Sequence, residues 1–227
     1  MLRALIFDFD GILVDSEPLI LELTQQMAAQ QGWTLRAEEY YRDYLALDDR
    51  GIVERLYQSH GRRVDRARVE ELVEWKARAY QQLIRDGLPP QPGAVEFVRG
   101  VARRFPLAIA SGSLRAEIEY LLGKLGLREK FPVLATAEDF KRSKPDPEVY
   151  LKALERLQRL ESFRAKPLRP AECLAIEDAP GGVESAHSAG MKCLALTHSL
   201  PAEELRHADW VCGSFAEVDL AKIEAAF

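Results

Sequence analysis

Ala4-Leu5-Ile6-Phe7-Asp8-Phe9-Asp10-Gly11 is an apolar run that stops at two carboxylates one residue apart and then at a glycine. From Leu2 to Phe7 the chain is almost continuously apolar without helical spacing, the pattern of a parallel strand buried on both faces. Asp8 then falls at the carboxyl end of that strand, and in an open α/β sheet ligands bind in the crevice outside those ends. Asp8 and Asp10 could share one metal ion there. An acidic turn after a strand is the competing reading, because Asp and Gly are common turn residues.

Outward from this stretch, Ser16 or Asp15 is available as a helix N-cap and Pro18 suits a first helical turn. Apolar residues fall at helical spacing from Leu19 to Gln31, and Gly32 closes that helix. Further helical patterns cover roughly Ala37 to Tyr44, Gly51 to Ser59 and Asp65 to Arg85, with no strand among them. Asp86-Gly87-Leu88-Pro89-Pro90-Gln91-Pro92-Gly93, with three prolines and two glycines, then breaks the pattern. The helical block reads as an insertion placed directly after the two carboxylates, where an inserted domain can act as a lid.

From Ala94 onward helices alternate with short apolar strands at Leu107 to Ala110, Val133 to Thr136, Cys173 to Ile176, Met191 to Leu196 and Trp210 to Cys212. That alternation predicts an α/β fold, a doubly wound Rossmann-like parallel sheet. The core would comprise residues 1–15 plus 88–227, and an all-helical cap domain residues 16–87.

The 227 residues are 47% hydrophobic and 30% charged, an ordinary globular balance, with a net charge of −5. That charge argues against a nucleic-acid surface, but leaves room for a local phosphate site, which needs only a cation or two and several N–H groups. Cys173, Cys193 and Cys212 are odd in number, far apart and mostly within apolar runs. They read as structural thiols of a cytoplasmic protein. The N-terminal apolar stretch is too short for a signal sequence or a membrane span. A monomer is expected.

Polar residues suited to phosphate or metal follow several of the strands: Asp8 and Asp10 the first, Ser111 the second, Glu177 and Asp178 the fourth. Parallel strands bring these ends to one edge of the sheet. Carboxylates crowded there repel and raise one another's pKa unless a cation sits among them. Mg²⁺ is the natural choice, since it prefers oxygen ligands and is usually held by one or two carboxylates plus a substrate phosphate. Singly, Ser111 could cap a helix, Lys144 could be a surface lysine, and Glu177-Asp178 could be a turn.

Together the motifs resemble the haloacid dehalogenase-like superfamily, in its phosphatase and β-phosphoglucomutase branch with a helical cap inserted after the first motif. The resemblance runs along essentially the whole chain. Asp8-Phe9-Asp10-Gly11 with Asp15-Ser16 matches the first motif, and Ser111 in Ala110-Ser111-Gly112-Ser113 the second. Lys144 in Ser143-Lys144-Pro145-Asp146-Pro147 matches the third, and Glu177-Asp178 followed by Ala179-Pro180-Gly181-Gly182 the fourth. The resemblance implies that Asp8 is the nucleophile and Asp10 the general acid and base. Ser111, Gly112 and Lys144 would bind the phosphate. Asp8, Asp10 (through its backbone carbonyl), Asp178 and Glu177 are the implied Mg²⁺ ligands, Glu177 either directly or from behind. Dehalogenases lack an aspartate at the position of Asp10, so its presence points to phosphate esters.

The helical block bears on the substrate. Leu47-Asp48-Asp49-Arg50-Gly51 resembles the cap loop that reads substrate in this family, and Arg50 could grip a second phosphate or a hydroxyl. Lys76 matches a position where some relatives contact phosphate. Exposed, solvated charges are the alternative for both. The expected function is hydrolysis of a small phosphorylated metabolite, such as a phosphosugar. A mutase and a non-catalytic phosphometabolite-binding protein are the rivals.

Overall fold

Six parallel strands form one sheet in the order β3-β2-β1-β4-β5-β6: β1 (Ala4–Phe7), β2 (Leu107–Ala110), β3 (Val133–Ala135), β4 (Cys173–Glu177), β5 (Lys192–Leu196) and β6 (Trp210–Cys212). The computed structural model describes all residues, Met1–Phe227. Four helices follow β1 directly in the chain: α1 (Glu17–Gln30), α2 (Ala37–Asp43), α3 (Asp49–Ser59) and α4 (Arg66–Leu83). The remaining helices alternate with the later strands: α5 (Ala94–Val101), α6 (Arg115–Lys124), α7 (Glu148–Leu157), α8 (Pro180–Ser188), α9 (Ala202–Leu205) and α10 (Leu220–Ala225).

The two faces of the sheet differ in side-chain size. Because successive residues of a strand point to opposite faces, one face presents Leu5, Phe7, Leu107, Ile109, Leu174, Ile176 and Leu194. The other presents mostly small residues: Ala4, Ala108, Ala110, Ala135, Ala175, Cys193 and Ala195. The small face lets α7 and α8 pack closely through Val149, Ala153, Val183 and Ala186. The large face packs against Val98 of α5 and Leu121 of α6, and its apolar cluster runs on into the helical insert through Leu23, Met27, Tyr40, Leu56 and Leu72.

Within the insert, α1 and α3 both pack on α4. Asp48 caps α3 by accepting from the Gly51 N–H at 2.9 Å, and Asp65 caps α4 by accepting from the Arg68 N–H at 2.8 Å. The chain enters and leaves the insert along two segments that bond to each other: the Asp15 N–H donates to the Pro89 carbonyl at 3.0 Å and the Gln91 N–H to the Leu13 carbonyl at 3.1 Å. No helix is long and apolar enough to cross a membrane. Cys173 and Cys193 are buried thiols, Cys212 is partly exposed, and none forms a disulfide.

Candidate active site

The strand order reverses at β1, which pairs with β2 on one side and β4 on the other. Such a reversal opens a crevice at the carboxyl edge. Phe7 is in register with Ile176, so the next residues, Asp8 and Glu177, lie side by side, and the Asp8 N–H donates to the Ile176 carbonyl at 2.9 Å. The Lys144 ammonium sits between them, 3.0 Å from Asp8 Oδ1 and 2.7 Å from Glu177 Oε1. The Tyr150 hydroxyl donates to the same Glu177 oxygen at 2.5 Å. Glu177 Oε1 is therefore saturated, while Oε2 is buried without a partner. Asp178 accepts from the Ser199 hydroxyl, which comes from the segment after β5.

Asp10 is held differently. Its Oδ1 accepts from Ser16 Oγ at 2.6 Å, and its Oδ2 accepts from Ser113 Oγ at 2.5 Å and more weakly from Ser111 Oγ at 3.4 Å. Contrary to expectation, Ser16 makes no cap bond to α1; Ser111, for which capping is only the competing reading, does not cap α6, whose N-cap position is Leu114. Both hydroxyls turn to Asp10 instead, Ser16 from beyond the turn at Gly11, where φ is +68°, and Ser111 from the end of the neighbouring β2.

Burial dominates the electrostatics. It pushes the Asp8 carboxyl up to about 7 against the pull of Lys144, with Glu177 adding to the rise. Burial likewise raises Asp10, opposed by the bonds from Ser113 and Ser16. Asp178 stands well above the ordinary carboxylate range, through burial and then the nearby charges of Glu17 and Asp8. Burial works against the charge of Lys144, but Asp8 and Glu177 more than offset it, and its pKa is raised.

These crowded carboxylates fit a cation. One oxygen from each of Asp8, Glu177 and Asp178 lies within 4.8 Å of the others. Two glycines keep the space open: a Cβ at Gly11 would overlap Asp178 Oδ2, and one at Gly182 would overlap the Glu177 carboxyl. An all-oxygen donor set with an unpartnered carboxylate oxygen suits Mg²⁺. The Asp10 side chain is not in this cluster.

The helical insert roofs the crevice. A cavity of about 40 Å³ is lined by Asp8, Asp10, Ser111, Gly112 and Lys144 from the sheet side and by Glu17 and Lys76, among others, from the insert. Lys76 is only 5% exposed, so it is not on a solvated helix face, and its ammonium pairs with Asp49. A Cβ at Gly112 would sit 3.2 Å from Asp48 Cα, so this glycine lets the insert loop approach the sheet edge.

Arg50 is not at the cavity, contrary to its expected role as a substrate contact. Its guanidinium crosses from the insert to the core, donating to the Ala137 carbonyl at 2.8 Å and the Phe140 carbonyl at 3.2 Å. Several other residues of the site escape a reading of the motifs alone: Glu17, Ser113, Tyr150 and Ser199. A signal for Ser199 exists, since Thr197-His198-Ser199 is another polar end to a parallel strand.

Comparison with known proteins identifies the family. The family model described as haloacid dehalogenase-like hydrolase matches residues 5–196. The chain is 32% identical over 204 residues to a phosphorylated carbohydrates phosphatase of Thermotoga maritima, covering 88% of this chain and 87% of that protein. The fold superposes on a β-phosphoglucomutase of Clostridium difficile with a TM-score of 0.85 at 22% identity, over 99% and 96% of the two chains. It also superposes on CbbY of Rhodobacter sphaeroides in complex with xylulose-(1,5)bisphosphate, with a TM-score of 0.81 at 25% identity over 96% and 97%. With the family model spanning most of its length, the chain belongs to the haloacid dehalogenase-like hydrolases, in the branch of phosphatases and β-phosphoglucomutase-like proteins.

Proposed function

We propose that the protein is a Mg²⁺-dependent phosphatase that hydrolyses a small phosphate monoester, a phosphosugar or similar metabolite, through an aspartyl-phosphate on Asp8. The observation that carries this reading is the pairing of Asp8, 3.0 Å from Lys144, with a second carboxyl, Asp10, held by serine hydroxyls on the same cavity. Phosphoryl transfer asks the protein mainly for positioning and charge stabilisation. Asp8 attacks phosphorus and the bond to the alcohol oxygen breaks as the Asp8–phosphorus bond forms. The departing oxygen takes a proton from Asp10, whose buried carboxyl holds protons more tightly than usual. Water then attacks the phosphoryl group, gives its proton to Asp10 and releases Asp8 as carboxylate. Lys144 and Ser111 stabilise the non-bridging oxygens. Bound Mg²⁺, held by Asp8, Asp178 and Glu177 with the Asp10 carbonyl, would neutralise charge on the phosphate.

A cavity of about 40 Å³ has room for a few waters but not for a phosphosugar. The insert must therefore open to admit a metabolite, and we take residues 16–87 as a cap domain that swings about the bonded pair of crossings at Leu13 to Asp15 and Pro89 to Gln91. Purified protein is expected to release phosphate from 4-nitrophenyl phosphate with Mg²⁺, and to lose that activity with a chelator. Asp8→Asn should lose at least about 10³-fold in turnover, as removal of a covalent nucleophile does. Activity indifferent to both changes would refute the reading.

A further inference from the structure

The roof of the cavity carries a carboxyl that the hydrolysis does not use. Glu17 stands in the first turn of α1, is 6% exposed, and lines the cavity together with Asp8 and Asp10. Its Oε2 accepts the hydroxyl of the buried Tyr40 at 2.9 Å, whereas Oε1 receives no donor from the protein. Oε1 is not sealed inside the protein, and the space open to it is the cavity that Glu17 lines. A group held this way next to a reaction centre is arranged for something that enters the cavity.

The rest of the roof narrows what that is. Ile20, Leu45, Leu47 and Ile52 supply apolar wall, and the one ammonium there, Lys76, is already paired with Asp49. Arg50 is turned to the Ala137 and Phe140 carbonyls. The alcohol half of a bound ester thus meets apolar surface, an unserved carboxyl oxygen and no uncommitted cation.

We infer that Glu17, oriented by Tyr40, is a specificity-determining residue that hydrogen-bonds a hydroxyl on the alcohol half of the substrate. It thereby selects polyol and sugar monophosphates over esters that lack such a hydroxyl. The inference rests on the phosphatase reading above and adds to it which ester is preferred.

The test compares kcat/KM for a panel of glucose 6-phosphate, ribose 5-phosphate and glycerol 3-phosphate with that for 4-nitrophenyl phosphate, which has no hydroxyl to offer. In Glu17→Ala the ratio of polyol to aryl ester should fall about tenfold, the worth of one hydrogen bond in a buried site. Glu17→Gln, which keeps the volume, should shift the ratio in the same direction by less. Tyr40→Phe, which removes only the anchoring hydroxyl, should shift it about threefold, a fraction of the same bond. The last two variants carry the test if Glu17→Ala does not fold. Equal losses on both kinds of ester, an unchanged ratio, or a wild type that hydrolyses the aryl ester but none of the panel would overturn the inference while leaving the phosphatase reading intact. A wild type inactive on every ester would overturn both.

Discussion

The two walls of the cavity are built by different means. On the sheet side, Asp8 and Glu177 are set side by side by strand register, Lys144 is clamped between them, and glycines at 11 and 182 leave no slack around the carboxylates. On the insert side, Glu17, Lys76 and Asp49 are side chains on or beside helices whose partners are other side chains, and Arg50, outside the cavity, ties the same insert to loop carbonyls. The wall proposed to do the chemistry takes its precision from residues set side by side by strand register. The wall proposed to meet the alcohol half takes its form from side-chain tethers, which the proposed opening of the insert would break.

The sharpest way to break this contrast is to add a methyl group to the sheet side. In Gly182→Ala the new Cβ would overlap the Glu177 carboxyl, whose other oxygen is fixed by Lys144 and Tyr150. Overpacking of this kind costs about 1–3 kcal/mol, and displacing the Glu177–Lys144 pair is expected to lower kcat/KM on the order of 10²-fold. Gly123→Ala, in α6 with nothing near its new Cβ, serves as the control. It should leave turnover unchanged and raise stability by about 0.5–1 kcal/mol. Equal behaviour of the two variants in assays and thermal melts would show that the glycine spacing has no role in the chemistry.

The same contrast explains what could be read from the chain and what could not. Asp8, Ser111, Glu177 and Asp178 follow strands, and parallel strands bring their ends together whatever the side chains do. These positions were legible without coordinates. Ser16 was legible only as a helix cap, because its contact with Asp10 depends on how tightly the chain turns at Gly11. Ser199 meets Asp178 because β5 lies beside β4, a matter of sheet order and not of sequence proximity. Arg50 is not legible, because its long side chain reaches either the cavity or the core, and here the Ala137 and Phe140 carbonyls beyond β3 take it. Lys76 reads from the sequence as either a phosphate contact or an exposed charge, and only the packing of the insert shows it buried against Asp49.

A smaller effect sharpens the view of the insert as a tethered wall. Arg50 ties the insert to the core through two carbonyls, beside a second tie from Ser143 to Asp48. Arg50→Ala should weaken closure by about 1 kcal/mol, which raises KM roughly fivefold if the closed form is the one that holds substrate. The rise should be of similar size for every monoester, since the guanidinium touches the core and not the ligand. A loss confined to substrates with a second phosphate, measured by steady-state kinetics, would instead return Arg50 to the cavity.

The smallest effect is thermodynamic and concerns the seam between the walls. Glu117 of α6 accepts the Leu114 N–H at 3.2 Å, and burial, reinforced by Asp49 and opposed by Lys76, raises its carboxyl from 4.5 to about 8. Folding thus favours the protonated form. The contribution of Glu117 to stability is fully present below pH 4.5 and is lost as pH rises through about 8, where the folded protein must carry a buried charge. Glu117→Gln keeps an acceptor for the Leu114 N–H and removes the titration. Its melting temperature should match the wild type near pH 4 and exceed it by several degrees near pH 9. A difference that does not vary with pH would place Glu117 in water. Because Asp49 and Lys76 both belong to the insert, a carboxyl that titrates normally would also mean that the insert stands open in solution, and that the tethers of its wall are formed only when a substrate draws it down.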